Sequence, residues 1–317
     1  MNQMLFVLCL SLLAFGAVNS CLSLAVVLGV RWLRFAGPPR TQALRYLLLR
    51  AFPGTASVLF VFTLYLPVVC RHEPGSVEER ASVAMYVLAT VAASILIGAV
   101  MRGLRSIRAT QRVVRSWTPG ARTIEIAELP IPAFVIEAQF PVVAIVGIFH
   151  QRLFIARQVL EHCSPQELRA VVAHERAHLR HRDNLLRLLL QCFPDLLGMT
   201  PTAARLEAAW TRASEERADD EVMRAGWDLE LASALCKVAR LARGSLQLPV
   251  MALYHGADVA HRVNRLLQFK MRPISVRSYA SLDWLGFALL IAALLVGASI
   301  ELPRLHAVTE TAVRFLQ

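Results

Sequence analysis

Three stretches of this chain, residues 1–30, 51–70 and 81–101, contain no charged side chain, and a fourth, residues 280–300, carries only Asp283 near its start. The hydrocarbon core of a bilayer is roughly 30 Å thick and a helix rises about 1.5 Å per residue, so about 20 apolar residues span it. Each run meets that length, and four transmembrane helices are expected. A hydrophobic content of 56% and a mean hydropathy of +0.49 agree, being too apolar for a wholly soluble chain of 317 residues. The first run lacks a basic start and is longer than the about 7–15 apolar residues of a signal peptide, so a retained helix is expected there. No lipidation signal is present at either end, and the spans themselves are expected to do the anchoring.

The net charge is +11, and its placement matters more than its size. Arg31, Arg34, Arg40, Arg45 and Arg50 follow the first run with no acid among them, and Arg102, Arg105, Arg108, Arg112 and Arg115 follow the third. Between the second and third runs Arg71 and Arg80 are offset by Glu73, Glu78 and Glu79. The positive-inside rule therefore predicts a cell inner (cytoplasmic) membrane protein with its N-terminus outside and residues 102–279 in the cytoplasm. Topology accounts for most of the basic excess, so direct nucleic-acid binding is not expected. The six cysteines form no CxxC pair; Cys163, Cys192 and Cys236 would face a reducing cytosol and are expected as free thiols.

Three parts follow: residues 1–101 with three spans and short loops, 102–279 as one cytoplasmic domain, and 280–317 as a fourth span with a short extracytoplasmic tail. Within the domain, residues 122–128 alternate as a strand does and 140–148 are a β-branched apolar run. Residues 129–149 are apolar enough to resemble a span, but Pro130, Pro132, Pro141 and Glu137 would break it, and short strands beside the membrane are the better reading. From residue 164 the period becomes helical. Ser164 as cap, Pro165 at the first position and Glu167 closing a capping box mark the start, and the helix is predicted to run to about Cys192. Further helices are predicted at about 202–226, 229–243 and 256–270. The fold class expected is an α-helical membrane protein with an inserted α+β domain.

His174-Glu175-Arg176-Ala177-His178 lies on the first of these helices. Histidines four apart project from one face, a turn apart, which suits a single zinc ion. The carboxylate of Glu175 can reach an attacking water and act as general base. Without a third ligand the same pentapeptide is merely a polar helix face. A carboxylate on the next helix, in Ser214-Glu215-Glu216-Arg217-Ala218-Asp219-Asp220, supplies one. Glu216 is the candidate, with Asp220 one turn later placed to accept a hydrogen bond from a ligating imidazole, and Glu215 is its adjacent competitor.

Val172-Ala173-His174-Glu175-Arg176-Ala177-His178, then Arg182-Asp183-Asn184-Leu185, then Glu216-Arg217-Ala218-Asp219-Asp220 resemble the BlaR/MecR-type membrane metallopeptidases (metallopeptidase family 56), and more distantly the HtpX and CAAX-protease group. The resemblance covers most of the chain: three membrane helices, the domain, and one helix after it. It implies a zincin-like (gluzincin) domain with one Zn2+ per chain held by His174, His178 and Glu216. Glu175 is then the base, Asp220 the partner of a ligand, and the substrate a protein, often a transcriptional repressor or similar regulator. Residues 261–267 are similar to an arginine-containing element that closes such sites. On that basis Arg262 is expected to pair with Asp220 and His255 to hydrogen-bond the developing oxyanion, although Gly256 follows His255 where relatives have proline. His181 is read as a neighbour of the site, not a ligand. The 140–148 run is the candidate edge strand for pairing with an extended substrate.

The antibiotic-sensing members carry a large extracellular domain after the last span. About 17 residues follow Ile300 here, so direct antibiotic sensing by this chain is not expected. The function expected is membrane-embedded, zinc-dependent endoproteolysis of a cytoplasmic or membrane-proximal protein in regulatory, antirepressor-type signalling. The alternatives are HtpX-like membrane protein quality control and, from another class, a non-catalytic zinc-stabilised receptor.

Overall fold

The computed structural model describes residues 3–30, 37–72, 82–126, 128–243, 256–268 and 280–300. The first uncharged run forms helix α1 (Gln3–Gly29). The second lies in a longer rod made of α2 (Pro39–Phe60), a π-helical turn (Val61–Tyr65) and α3 (Leu66–His72). The third begins α4 (Val83–Trp117), where the Ser82 hydroxyl accepts from the Met85 N–H and caps the start. These three rods are long and apolar enough to cross a membrane. They pack through small residues: a Cβ added at Gly16 of α1 would meet the Ala92 Cβ of α4 at 3.2 Å, so the two backbones approach closely there.

All three rods are longer than a bilayer requires. At 35 residues α4 is about 52 Å long, and it continues without a break through Arg102, where a domain boundary was expected. The first half of α2 likewise forms a helix through Arg40, Arg45 and Arg50, residues placed in a loop by the charge pattern.

The domain opens with a four-stranded sheet of β1 (Arg122–Ile124), β2 (Ala133–Ile136), β3 (Val143–Val146) and β4 (Arg152–Ala156) in the order β1-β2-β4-β3. The β2–β4 pair is parallel and the other two pairs are antiparallel. Strands were expected across 122–149, but β4 was not. Leu-Phe-Ile-Ala at 153–156 is apolar without alternation because β4 lies inside the sheet and buries both faces. Phe134 stacks on Phe154 at 5.5 Å and Trp117 meets Phe154 edge-on at 5.4 Å, so the end of α4 is packed into the sheet.

After the short α5 (Arg157–His162) come α6 (Pro165–His181) and α7 (Asp183–Cys192). One helix to Cys192 was predicted; Arg182 breaks it by adopting the left-handed conformation, φ 55° and ψ 39°. A turn and a 3-10 segment (Leu196–Met199) lead to α8 (Pro201–Arg224), followed by α9 (Asp228–Arg243) and α10 (Gly256–Gln268). The fourth expected span is a single helix, α11 (Ala280–Ile300), whose described apolar stretch is Trp284–Ala293; its Phe287 packs edge-on against Phe52 of α2 at 6.0 Å. One core lies between the sheet, α6 and α9, around Leu153, Ile155, Val159, Val172, Ala234 and Val238. Another joins α8 to the membrane rods: Leu206 packs with Val26, and the fully buried Trp210 and Ala213 pack with Ala43.

Candidate metal centre

Helix α6 starts as its sequence predicts. Ser164 Oγ accepts from the Glu167 N–H at 3.3 Å, and Glu167 Oε2 accepts from the Ser164 N–H at 2.6 Å. Glu167 does more than cap, because it also accepts from Ser233 at 2.6 Å and from Lys237 at 2.7 Å, both on α9. Burial opposes its charge, yet Lys237, Ser233 and the Ser164 amide hold its pKa down at about 2. The helix bearing the histidines is thus tied at its first turn to α9.

On that helix His174 is buried and His178 nearly so, with Nε2 atoms 3.1 Å apart. The opposite nitrogen of each ring meets a carboxylate. His178 Nδ1 lies 2.7 Å from Asp183 Oδ2; His174 Nδ1 lies 3.1 Å from Asp219 Oδ1, though not aligned for a full hydrogen bond. Carboxylates at Nδ1 favour the tautomer with its proton there and a lone pair on Nε2. The third group converging on these lone pairs is Glu215, with Oε2 3.4 Å from His174 Nε2 and Oε1 3.6 Å from His178 Nε2. The ligand atoms of His174, His178 and Glu215 all lie within 4.8 Å of one another.

Three ligand atoms facing each other in this way could hold a metal ion. Tetrahedral zinc with arms of about 2.0–2.1 Å separates its ligand atoms by about 3.3 Å, and the spacings here bracket that value. Burial disfavours charge on His178, but Glu215 and Asp183 beside it push its pKa up to about 10. The donor set therefore fits a zinc ion.

Glu175, one residue past His174, reaches the edge strand. Its Oε2 accepts from the Ile145 N–H of β3 at 3.2 Å. Burial raises its pKa against the pull of both histidines, which suits a carboxylate that must take up and release a proton. The edge position of β3 explains the contact. Val142 accepts from the Ala156 N–H, so by alternation Val143 and Ile145 turn their backbone groups away from β4 and toward the site.

The acidic frame differs from the one expected. Two overlapping Glu-x-x-x-Asp frames run through α8, and it is Glu215 with Asp219, not Glu216 with Asp220, that meets the histidines. Trp210 and Ala213 bury against α2, as does Leu206, and Glu215 is nine residues past Leu206, roughly half a turn around the helix and so on the opposite side. Glu216 is turned about 100° further, its carboxylate 3.7 Å from the exposed His261 and its carbonyl accepting from Arg265. Asp220 pairs with Arg265, and with Arg224 at 3.9 Å. Arg262 correspondingly pairs with Asp219 at 2.7 and 2.8 Å and with Glu215 at 2.9 Å, not with Asp220. It lies beside the site, its Nη2 3.4 Å from His174 Nε2. His181 is turned aside to Glu221 at 2.7 Å. His255 lies outside the described residues.

The two residues after the break also serve the site. Asp183 Oδ2 holds His178 and also accepts from Ser214 at 2.6 Å, while Oδ1 accepts from Arg217 at 2.5 Å, so one carboxylate links both histidine-bearing and glutamate-bearing helices. Asn184 donates to the carbonyls of Ile145 and Gly147, both at 2.9 Å, and anchors the edge strand. The left-handed Arg182 makes this possible by turning the chain so that its next two side chains reach back into the site. The signal lay in Arg182-Asp183-Asn184, where two short polar residues stand inside an otherwise helical pattern.

A search of curated proteins found no match. Among solved structures, the crystal structure of S. mikatae Ste24p is similar at 16% identity and a TM-score of 0.34; the alignment covers 69% of this chain and 66% of that one, just under two thirds of its length. The model of the family described as BlaR1 peptidase M56 matches residues 68–244, more than half of the chain, including all the residues that converge on the metal centre from α6, α7 and α8. Three membrane-capable rods, the two histidines of α6 and a carboxylate from α8 are thus the features of a membrane metallopeptidase, and the chain belongs to the BlaR1 peptidase M56 family.

Proposed function

We propose that the protein is a zinc-dependent endopeptidase of the inner membrane, with residues 102–279 facing the cytoplasm. The observation that carries the reading is the convergence of His174, His178 and Glu215 on one point with the Glu175 carboxylate alongside. Zinc, when bound by those three residues, supplies Lewis-acid polarisation of the scissile carbonyl. Glu175 takes a proton from the attacking water and passes it to the departing amine nitrogen. Asp183 and Asp219 keep both imidazoles in the ligating tautomer, and Arg262 holds Glu215 and Asp219 in place across the α8–α10 contact. An extended substrate adds to the outer edge of β3, where Val143 directs its backbone groups, and the Ile145 contact keeps Glu175 beside the cleaved bond.

The basic segments favour the cytoplasmic placement, and the family favours a protein substrate in regulatory signalling. A repressor is the first substrate class to test, and membrane protein quality control the second. A non-catalytic zinc-stabilised receptor is opposed by Glu175, since a structural site has no need of a half-buried carboxylate beside its ligands. Purified protein should bind about one zinc per chain. Glu175→Ala should keep the metal and lose cleavage of a co-expressed repressor or an unfolded membrane protein. Cleavage by that variant at the wild-type rate would overturn the mechanism.

A further inference from the structure

The connection between α7 and α8 lies on the covalent path from α6, which carries both histidines, to α8, which carries Glu215. It is gripped by polar side chains from three membrane rods. Asn19 of α1 donates to the Pro194 carbonyl at 3.0 Å and accepts from the Leu196 N–H at 3.0 Å. Arg102 of α4 donates to the carbonyls of Gln191 and Phe193, both at 3.0 Å. Arg50 of α2 donates to Asp195 at 2.6 Å and to Glu207 of α8 at 3.1 Å. Asn19 and Asp195 are 0% exposed and Arg50 is 1% exposed. The fit is close: a Cβ added at Gly54 of α2 would meet Pro194 Cδ at 3.2 Å, and one at Gly198 would meet Arg50 Nη2 at 3.2 Å.

Arg50 immediately precedes the uncharged run 51–70 and Arg102 immediately follows 81–101, so on α2 and α4 this grip sits where the apolar part of the rod ends, whereas Asn19 reaches it from within the uncharged run of α1. Charges there are ordinarily topology signals exposed to headgroups and water. A fully buried arginine bridging two acids has a different task, because its burial is tolerated only in fixed geometry. Glu207 precedes Glu215 by eight residues, about 12 Å along α8. A slip of α8 by one residue is a shift of about 1.5 Å with a turn of about 100°, and it would present Glu216 and Asp220 where Glu215 and Asp219 stand.

We infer that Arg50 is a positioning residue for the metal centre: by holding Asp195 and Glu207 together it sets the height and rotation of α8, and so selects which of the two acidic frames meets the histidines. The inference rests on the reading of Glu215 as a ligand. The membrane rods are then part of the scaffold of the site and not only its anchor.

The test is Co2+ titration of the full-length protein in nanodiscs after metal removal, following both affinity and the visible d–d absorption, which reports the ligand set. Wild type should bind one equivalent, and Glu215→Gln should lose or change that spectrum. Glu207→Gln alters a half-exposed residue, and Arg50→Met removes the bridge; each should weaken Co2+ binding by about tenfold and alter the spectrum. Arg50→Lys, able to hold one acid and not both, should recover part of the affinity. Wild-type affinity and spectrum in Glu207→Gln and Arg50→Met, whatever happens to their melting temperatures, would reduce Arg50 to a stabilising role and overturn the inference. Should Arg50→Met not fold, Glu207→Gln alone decides. An unchanged spectrum in Glu215→Gln would instead refute the ligand assignment, and the inference with it.

Discussion

Glu167 offers a quantitative check on how the histidine-bearing helix α6 is held. Its side chain, 8% exposed, closes the capping box of α6 and carries Ser233 and Lys237 from α9. Folding lowers its pKa from 4.5 to about 2, which corresponds to about 3 kcal/mol of stability. Because the folded value is the lower one, the stabilisation is complete above the unfolded pKa and disappears as pH falls from about 4.5 to 2. Glu167→Gln keeps an acceptor for Ser164 and Ser233 but loses the charge that pairs with Lys237. At pH 7 the variant should be less stable by up to about 3 kcal/mol, or roughly 6–12 °C in melting temperature for a domain of this size. The gap should close on acidification, because protonation makes the wild-type carboxyl resemble the amide. The assay is thermal unfolding of both proteins between pH 7 and pH 2.5, comparing their difference so that other carboxylates cancel. A gap of equal size at both ends of that range would refute the account and leave Glu167 as a cap without a coupled charge.

Three further outcomes are expected. In chelator competition Glu215→Gln should lose zinc while Glu216→Gln keeps it; the reverse would return the site to the other acidic frame. Asp183→Asn should lower zinc affinity by about 10–100-fold, since it removes the carboxylate that orients His178, and an unchanged affinity would show that Ser214 and Arg217 were its main business. Gly147 has φ 114° and an added Cβ would press on the His150 carbonyl oxygen, so Gly147→Ala should distort the edge strand. Its KM for a peptide substrate should rise with metal content unchanged, and a loss of metal instead would place the damage elsewhere.

The apolar runs, the Ser164-Pro165-Glu167 start and the His174–His178 pair were legible because each is a local signal, carried by residues within a turn or a run of one another. The misses share a different cause. Choosing Glu215 over Glu216 requires knowing that Leu206, Trp210 and Ala213 face α2, a contact between segments about 150 or more residues apart. The break at Arg182 has neither glycine nor proline to announce it; its left-handed conformation accompanies long-range bonds of Asp183 and Asn184. Arg50 and Arg102 read as topology charges because a charge count cannot see a buried acid or a distant carbonyl. β4 reads as a plain apolar run because a strand buried on both faces does not alternate.

The unbroken course of α4 has a mechanical consequence. A helix without a hinge from Ser82 to Trp117 behaves as a lever whose fulcrum is the Arg102 grip on Gln191 and Phe193. Trp117 lies about 22 Å beyond Arg102, so each degree of tilt moves it by about 0.4 Å. Trp117 contacts Phe140 and Phe154, and β3 contacts the Glu175 carboxylate, so a contiguous set of contacts joins the end of α4 to Glu175. A tilt of α4 would therefore be expected to displace Glu175 as well as the sheet.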